Sequence, residues 1–195
     1  IAMAHTADDQ VETILMRFLE GAGIAGLKGI PRETKDGIVR PILDVWKEDI
    51  VTHLKKHKIP FRIDASNADT RFERNWVRNV LLPLLVKRYG KGVKKRIFAL
   101  GERFREIDDY LEAEARRWIR KNLKPSRPRG YVAHHRQRFD KNNNVPVLGF
   151  ARGAYAELPT VLRVRILQKI CFERLGSAPN ERLLTAMDRL IREGG

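Results

Sequence analysis

The chain has 195 residues, 39 Lys or Arg against 24 Asp or Glu, a formal charge of +15 at pH 7 and a single cysteine, Cys171. That length carries one large domain or two small ones with a real hydrophobic core, and charge of that size points to nucleic acid or an anionic membrane surface as partner. One cysteine excludes an internal disulfide and any paired-cysteine metal or redox site. No apolar run approaches the roughly 18 residues of a membrane span, and no signal peptide or lipidated tail is evident, so no membrane role and a cytoplasmic location are expected.

The first residue is Ile1 rather than Met, and a strand-like run begins there, so the chain reads as a fragment with sequence upstream. Ile1 to His5 reads as a short buried strand. Thr6 is an N-cap with Asp9 three residues on, close to a capping box. Val11, Ile14, Leu15, Phe18 and Leu19 then recur at helical spacing, predicting a helix over Ala7 to Glu20 that Gly21 ends. Residues 21–26, GAGIAG, match GxGxxG, but that fingerprint must follow a strand and open a helix. Here it follows a helix and runs toward Pro31, so the glycines read instead as a tight loop or a close approach to a ligand.

Ile38 to Leu43 is expected to be a strand, Trp46 to His57 a helix and Phe61 to Ile63 a third strand. Alternating elements in this order imply an α/β unit with a parallel sheet. From about Arg71 the pattern becomes helical and basic, with Pro83 inside "RFERNWVRNVLLPLLVKRYG". Lys94 to Asn122 reads as one long helix, with Ile97, Leu100, Phe104, Ile107, Leu111, Ala115 and Trp118 as its apolar stripe. Lys124 to Asn144 reads as a loop with a small strand at Tyr131–Ala133, and Val145 to Phe150 as a further strand. Glu157 to Leu175 and Asn180 to Glu193 read as helices. A domain boundary is placed near Tyr89–Gly92, separating residues 1–89 from a mainly helical 90–195. The fold class is thus α/β followed by all-α.

Residues 71–138 hold 20 Lys or Arg and 7 Asp or Glu, a concentration that favours a phosphate-backbone footprint over a dispersed solvated surface. The acids gather elsewhere. With Thr6 at the N-cap, Asp8 and Asp9 fall in the first helical turn, where free amides and the helix dipole favour carboxylates. Capping does not account for Glu12. At 100° per residue it projects about 40° from Asp8 and about 60° from Asp9. Three acids beside His5 at a strand end suit a cationic ammonium substrate or Mg²⁺, and that edge of a parallel sheet is where ligands sit. His5 is either a satisfied structural residue or a proton-transfer group.

The segment AMAHTADDQVETILMRFLEGAGIAGLKGI closely resembles the HxxDDQxExxLMR…GLxGI block of bacterial tRNA(Ile)-lysidine synthetases, members of the PP-loop (N-type ATP pyrophosphatase) family. The resemblance continues in VRPIL and IPFRIDASNADTRFERNWVRNVLLPLL, and more faintly in LPTVLRVRILQKICFERLG. It implies a Rossmann-like parallel-sheet PP-loop domain, of which residues 1–89 would be the C-terminal part, followed by a helical tRNA-binding domain.

It also implies an ATP-dependent ligase that adenylates C2 of the wobble cytidine in tRNA(Ile) with a CAU anticodon. Free L-lysine then displaces AMP, so that the tRNA reads AUA instead of AUG. Carried onto this chain, Asp9 and Glu12 hold the lysine ammonium or an associated Mg²⁺, and Asp8 and His5 shape the same edge. Arg78, with Arg74 and Asn75 beside it, faces a carboxylate or phosphate, the anions a guanidinium binds in bidentate fashion. The loop of Gly21, Gly23, Gly26 and Gly29, supported by Arg40, lies near the inserted cytidine. Lys87, Arg88, Lys91, Lys94, Lys95 and Arg96 contact the tRNA. A homodimer is a further candidate assembly.

The family's ATP-binding SGGxDS loop is expected upstream of Ile1, so the isolated fragment is expected neither to hydrolyse ATP nor to make lysidine. The competing readings are a thiolation-type PP-loop enzyme, which the single cysteine disfavours, and a non-catalytic basic helical RNA-binding module.

Overall fold

The computed structural model describes residues 1–62, 69–125 and 148–193. The chain divides into two compact units, Ile1–Asp108 and Asp109–Gly195. In order, the helices are α1 (Ala7–Leu19), α2 (Ile24–Leu27), α3 (Lys47–Lys56), α4 (Glu73–Trp76), α5 (Leu82–Tyr89), α6 (Val93–Asn122), α7 (Arg152–Ala156), α8 (Thr160–Leu175) and α9 (Glu181–Glu193); a π-helical turn, Val77–Leu81, joins α4 to α5.

The α1 start is as the sequence implies. Thr6 accepts from the Asp9 backbone N–H, and the Asp9 carboxylate accepts from the Thr6 N–H, which closes a capping box. The helix buries Ala7, Val11 and Ile14. Val11 joins Val77 and Leu82 in the first unit's core, with Leu15, Trp46, Ile97 and Phe98 packed around them.

Of the parallel sheet expected of an α/β unit, the described residues show only an isolated parallel bridge between Ala2 and Val39. Met3 N–H donates to Val39 O at 2.9 Å and Val39 N–H to Ile1 O at 2.8 Å. On its other side the segment bonds antiparallel, from Thr34 N–H to Ile38 O and from Arg40 N–H to Arg32 O; the strand expected over Ile38 to Leu43 ends there, because Pro41 has no N–H to offer a ladder. Turn bonds follow at once, from Leu43 N–H to Arg40 O and from Val45 N–H to Ile42 O. Phe61 and Arg62 are not in a strand; Ile63 and the expected Tyr131–Ala133 strand lie outside the described residues. Of Val145 to Phe150, Leu148–Gly149 pairs antiparallel with Lys124–Pro125.

The π turn was not expected, and Pro83 is its cause. In an α-helix the proline ring would meet the carbonyl four residues back, at Asn79. The widened turn relieves that clash, and Leu82 N–H reaches Val77 O, five residues back. Helix α6 has 30 residues, about 45 Å at 1.5 Å per residue. The boundary expected near Tyr89–Gly92 precedes this helix, but its first turns pack onto the first unit through Ile97 and Phe98, and that compact unit reaches Asp108.

Glycine at 101 permits the close approach of α6 to α1: a Cβ there would collide with the Ile14 side chain. The apolar stripe of α6 is not buried throughout, since Leu100 and Ile107 are nearly half exposed. In the second unit, Ala115, Tyr155, Ile166, Leu167 and Leu184 form the core, with Trp118 and Phe150 packed against it. The helix expected over Glu157 to Leu175 starts at Thr160, because Pro159 suits the turn before a helix better than its interior.

Candidate functional site

All three acids at the α1 N-terminus are engaged, each differently. Glu12 is 1% exposed and is gripped by Arg78: Nε donates to Oε1 at 2.6 Å and Nη2 to Oε2 at 2.8 Å. Arg78 Nη2 also reaches Asp9 Oδ1 at 3.2 Å, while Asp9 Oδ2 accepts from the Thr6 N–H and hydroxyl, both at 2.8 Å. The π turn carries Arg78 to this position. Arg74 stands behind it, donating to Thr13 Oγ1 at 2.7 Å and lying 3.9 Å from Glu12 Oε2.

Asp8 does something the spacing did not imply. Its Oδ2 accepts from the Lys47 N–H at 2.8 Å, which caps the start of α3 across 39 residues, and its Oδ1 accepts from Lys94 Nζ at 2.7 Å. Trp46, the N-cap residue of α3, offers no side-chain cap of its own. The first-turn position on α1 therefore serves a neighbouring helix.

Burial pushes the Glu12 carboxyl above its ordinary value, against the Arg78 hydrogen bonds and charge that pull it down. Arg78 is raised in turn, chiefly by its bonds to Glu12. The cluster is thus an inward-facing ion pair whose guanidinium side chain is 25% exposed, so an incoming anion can meet it from solvent.

These acids do not fit the expected Mg²⁺. Both Glu12 oxygens and Asp9 Oδ1 already face a guanidinium, and Asp9 Oδ2 is spent on the cap; a divalent ion there would sit against Arg78. Among the described residues no group of three or more His, Cys, Asp or Glu could hold a metal ion. Asp9 and Glu12 act as partners of an arginine instead.

His5 meets Arg40, whose Nε donates to His5 Nδ1 at 3.1 Å and whose Nη1 donates to Pro31 O at 2.8 Å. With Nδ1 accepting, the imidazole carries its proton on Nε2. Asn75 Nδ2 donates to Asp69 O at 2.9 Å. In the glycine loop, space is open around Gly21 and Gly23, whereas Gly29 has φ +71° and a Cβ there would lie 2.8 Å from Gln10 Cδ. Lys87, Arg88, Lys91, Lys95 and Arg96 are exposed. Lys91, Lys94 and Lys95 share a cavity of about 250 Å³ with Asp8, Trp46 and Glu48.

Gln10 was missed. It is fully buried, accepts from Ile30 N–H at 2.6 Å and donates to Ile30 O at 3.2 Å, tying the glycine loop to α1. Its signal was available: an amide on the same inner face as Ala7, Val11 and Ile14 needs a buried partner. Lys28 and Asp108, paired at 2.5 Å, had no local signal.

Residues 1–85 match the family model of the PP-loop domain. Similar proteins are tRNA(Ile)-lysidine synthases. That of Porphyromonas gingivalis is 49% identical over 85 residues, 44% of this chain and 19% of its own length. That of Solibacter usitatus is 38% identical over 123 residues, 63% of this chain and 28% of its own. That of Bradyrhizobium diazoefficiens is 36% identical over 203 aligned positions, 100% of this chain and 52% of its own. The chain thus spans about half or less of the length of these curated relatives.

Proposed function

We propose, from the premise that residues 1–85 belong to the PP-loop domain family, that this chain is the lysine- and tRNA-handling part of a tRNA(Ile)-lysidine synthase. ATP is the activating substrate: the oxygen on C2 of the wobble cytidine of the CAU-anticodon tRNA bonds to its α-phosphorus, the bond to pyrophosphate breaks, and pyrophosphate leaves. The amine of free lysine then forms the new C–N bond to C2, the C–O bond to AMP breaks, and the amine gives up a proton.

The observation that carries this reading is the Arg78–Glu12–Asp9 cluster. It places one cation against two carboxylates, which is the charge pattern complementary to an amino acid carrying both a carboxylate and ammonium groups. Such a ligand opens the cluster without leaving any charge unmatched: its carboxylate takes Arg78, and an ammonium takes Glu12 and Asp9. Opening it with a ligand of one sign only would strand a buried charge, which is costly. The role left to these side chains is positioning, because adenylation has already supplied a good leaving group. The exposed Lys87, Arg88, Lys91, Lys95 and Arg96 supply a charged surface for the tRNA backbone.

The test uses the natural polypeptide that carries these 195 residues. E12Q and R78A are expected to abolish lysidine formation while tRNA affinity falls less than about threefold. Equal loss of affinity and activity would replace this reading with the non-catalytic RNA-binding module.

A further inference from the structure

Three adjoining cavities in the first unit, of about 250, 510 and 380 Å³, share two residues, Lys94 and Glu48. Together they make a groove from Thr52 and Lys55 on α3, past Asp8, to Pro83, Val86 and Arg78. Its cations are lysine ammonium groups, together with the Arg78 guanidinium at one end, set among the carboxylates of Asp8, Glu48 and Asp49, with Lys94 where the cavities meet. Trp46 is packed on Phe98 with ring centroids 5.8 Å apart, so the indole is a wall of this groove and not a free stacking platform. That chemistry suits phosphodiester groups rather than bases.

The ammonium group where the cavities meet is held back. Lys94 is spent on Asp8 at 2.7 Å, with Lys94 36% and Asp8 15% exposed. Asp8 has a second anchor, the Lys47 N–H at 2.8 Å. Lys94 can therefore leave while Asp8 stays in place as the cap of α3, and water can reach the oxygen it gives up. A phosphate competing for Lys94 breaks one partly exposed ion pair and nothing else.

We infer that the Asp8–Lys94 pair is an exchangeable latch, and that an RNA backbone phosphate displaces Asp8 from Lys94 when it enters the groove. This rests on the RNA-binding reading of the basic surface and adds to it a cost set by Asp8: the carboxylate lowers affinity for any RNA that does not place a phosphate at Lys94.

The experiment is a double-mutant cycle on the full chain, with a fluorescein-labelled anticodon stem-loop RNA and binding followed by anisotropy across a salt series. D8N retains an acceptor for the Lys47 N–H, and its fold is checked by circular dichroism. It is expected to tighten binding by about two- to fivefold, the range a partly exposed ion pair is worth, and that gain is expected to vanish in the K94Q background. K94Q alone is expected to weaken binding and to flatten the log–log salt dependence by about 0.7–0.9, the value of one phosphate contact. Should D8N lower the folded fraction, K94Q still decides, because it leaves the Asp8 cap intact.

An equal D8N gain in both backgrounds would reduce the pair to general electrostatics and overturn the latch. So would an unchanged slope in K94Q. If the unsubstituted chain fails to bind the stem-loop at all, the RNA-binding reading itself is lost and the latch with it, whereas binding without coupling removes the latch alone.

Discussion

Arg78 and Glu12, 66 residues apart, form a two-nitrogen, two-oxygen ion pair with Glu12 almost wholly removed from solvent. Such a pair stabilises less than its geometry suggests, because the carboxylate has been taken out of water and the guanidinium has lost part of its own hydration. Breaking it from one side is another matter.

R78M leaves a buried carboxylate with Arg74 at 3.9 Å as its nearest remaining cation. It is expected to cost up to about 3 kcal/mol, the lower end of the range for breaking a buried pair, since Arg78 keeps some exposure. The double variant E12Q/R78M is expected to recover at least half of that loss. Urea midpoints of the three proteins measure it; a double variant as unstable as R78M would mean that the cost lies in lost packing rather than in a stranded charge.

Gly101 faces Ile14 across the α1–α6 contact, where a Cβ would lie 3.3 Å from Ile14 Cγ1 and closer still to the end of that side chain. Alanine is the better helix former by about 1 kcal/mol, yet Ile14 is 2% exposed and has little room to yield. G101A is therefore expected to destabilise by about 1–2 kcal/mol through overpacking, and I14V/G101A to return most of it. Thermal unfolding compares them, and a stabilised G101A would show that the helices can separate without penalty.

In the second unit, Asp188 accepts from Tyr155 at 2.9 Å and from Arg163 at 2.7 Å. Burial pushes its carboxyl up, but the bonds from Arg163 and Tyr155 outweigh that and hold it below its ordinary 3.8. A carboxyl lowered on folding contributes stability that is complete above its unfolded pKa and is lost as pH falls through the folded one. Stability is thus expected to drop as pH falls below about 4, and D188N, less stable at pH 7, is expected to show a shallower acid loss. Urea unfolding at stepped pH, followed by Trp118 fluorescence in a W46F/W76F background, reads the difference; parallel curves would assign the acid loss to other groups.

The exposed cations at the α5–α6 turn are expected to act on RNA by number more than by identity. K87E/R88E and K95E/R96E should each weaken stem-loop binding and lower its salt dependence, with little change in the urea midpoint, because these side chains are exposed. A change confined to one RNA sequence would instead indicate base reading.

Much of this was legible beforehand. The Thr6–Asp9 capping box, the bounds of α3 and α6 within a residue or two, and the surplus of Glu12 over what capping requires are all local, set by residues three or four apart. The short parallel pairing was overestimated as strands, since apolar runs such as Ile38 to Leu43 do not reveal where Pro41 will interrupt a ladder. Asp8 lies in the first turn of α1, as its spacing implies, and also caps α3, which its spacing does not reveal.

What the sequence determined by itself is the longer helices α1, α3, α6, α8 and α9, the placement of three acids on one face of α1 and the clustering of basic charge after Arg71, because periodicity, capping and charge density are properties of neighbours along the chain. What only the tertiary structure decided is which cation each acid meets. The π turn forced by Pro83 rotates the following residues away from the 3.6-residue register, so the direction of Arg78 cannot be counted out along a helix. Its pairing with Glu12 depends on burying both against a shared core, as does that of Lys94 with Asp8 on α6 lying against α1. Energies of that kind arise between segments 66 and 86 residues apart, and no local pattern records them.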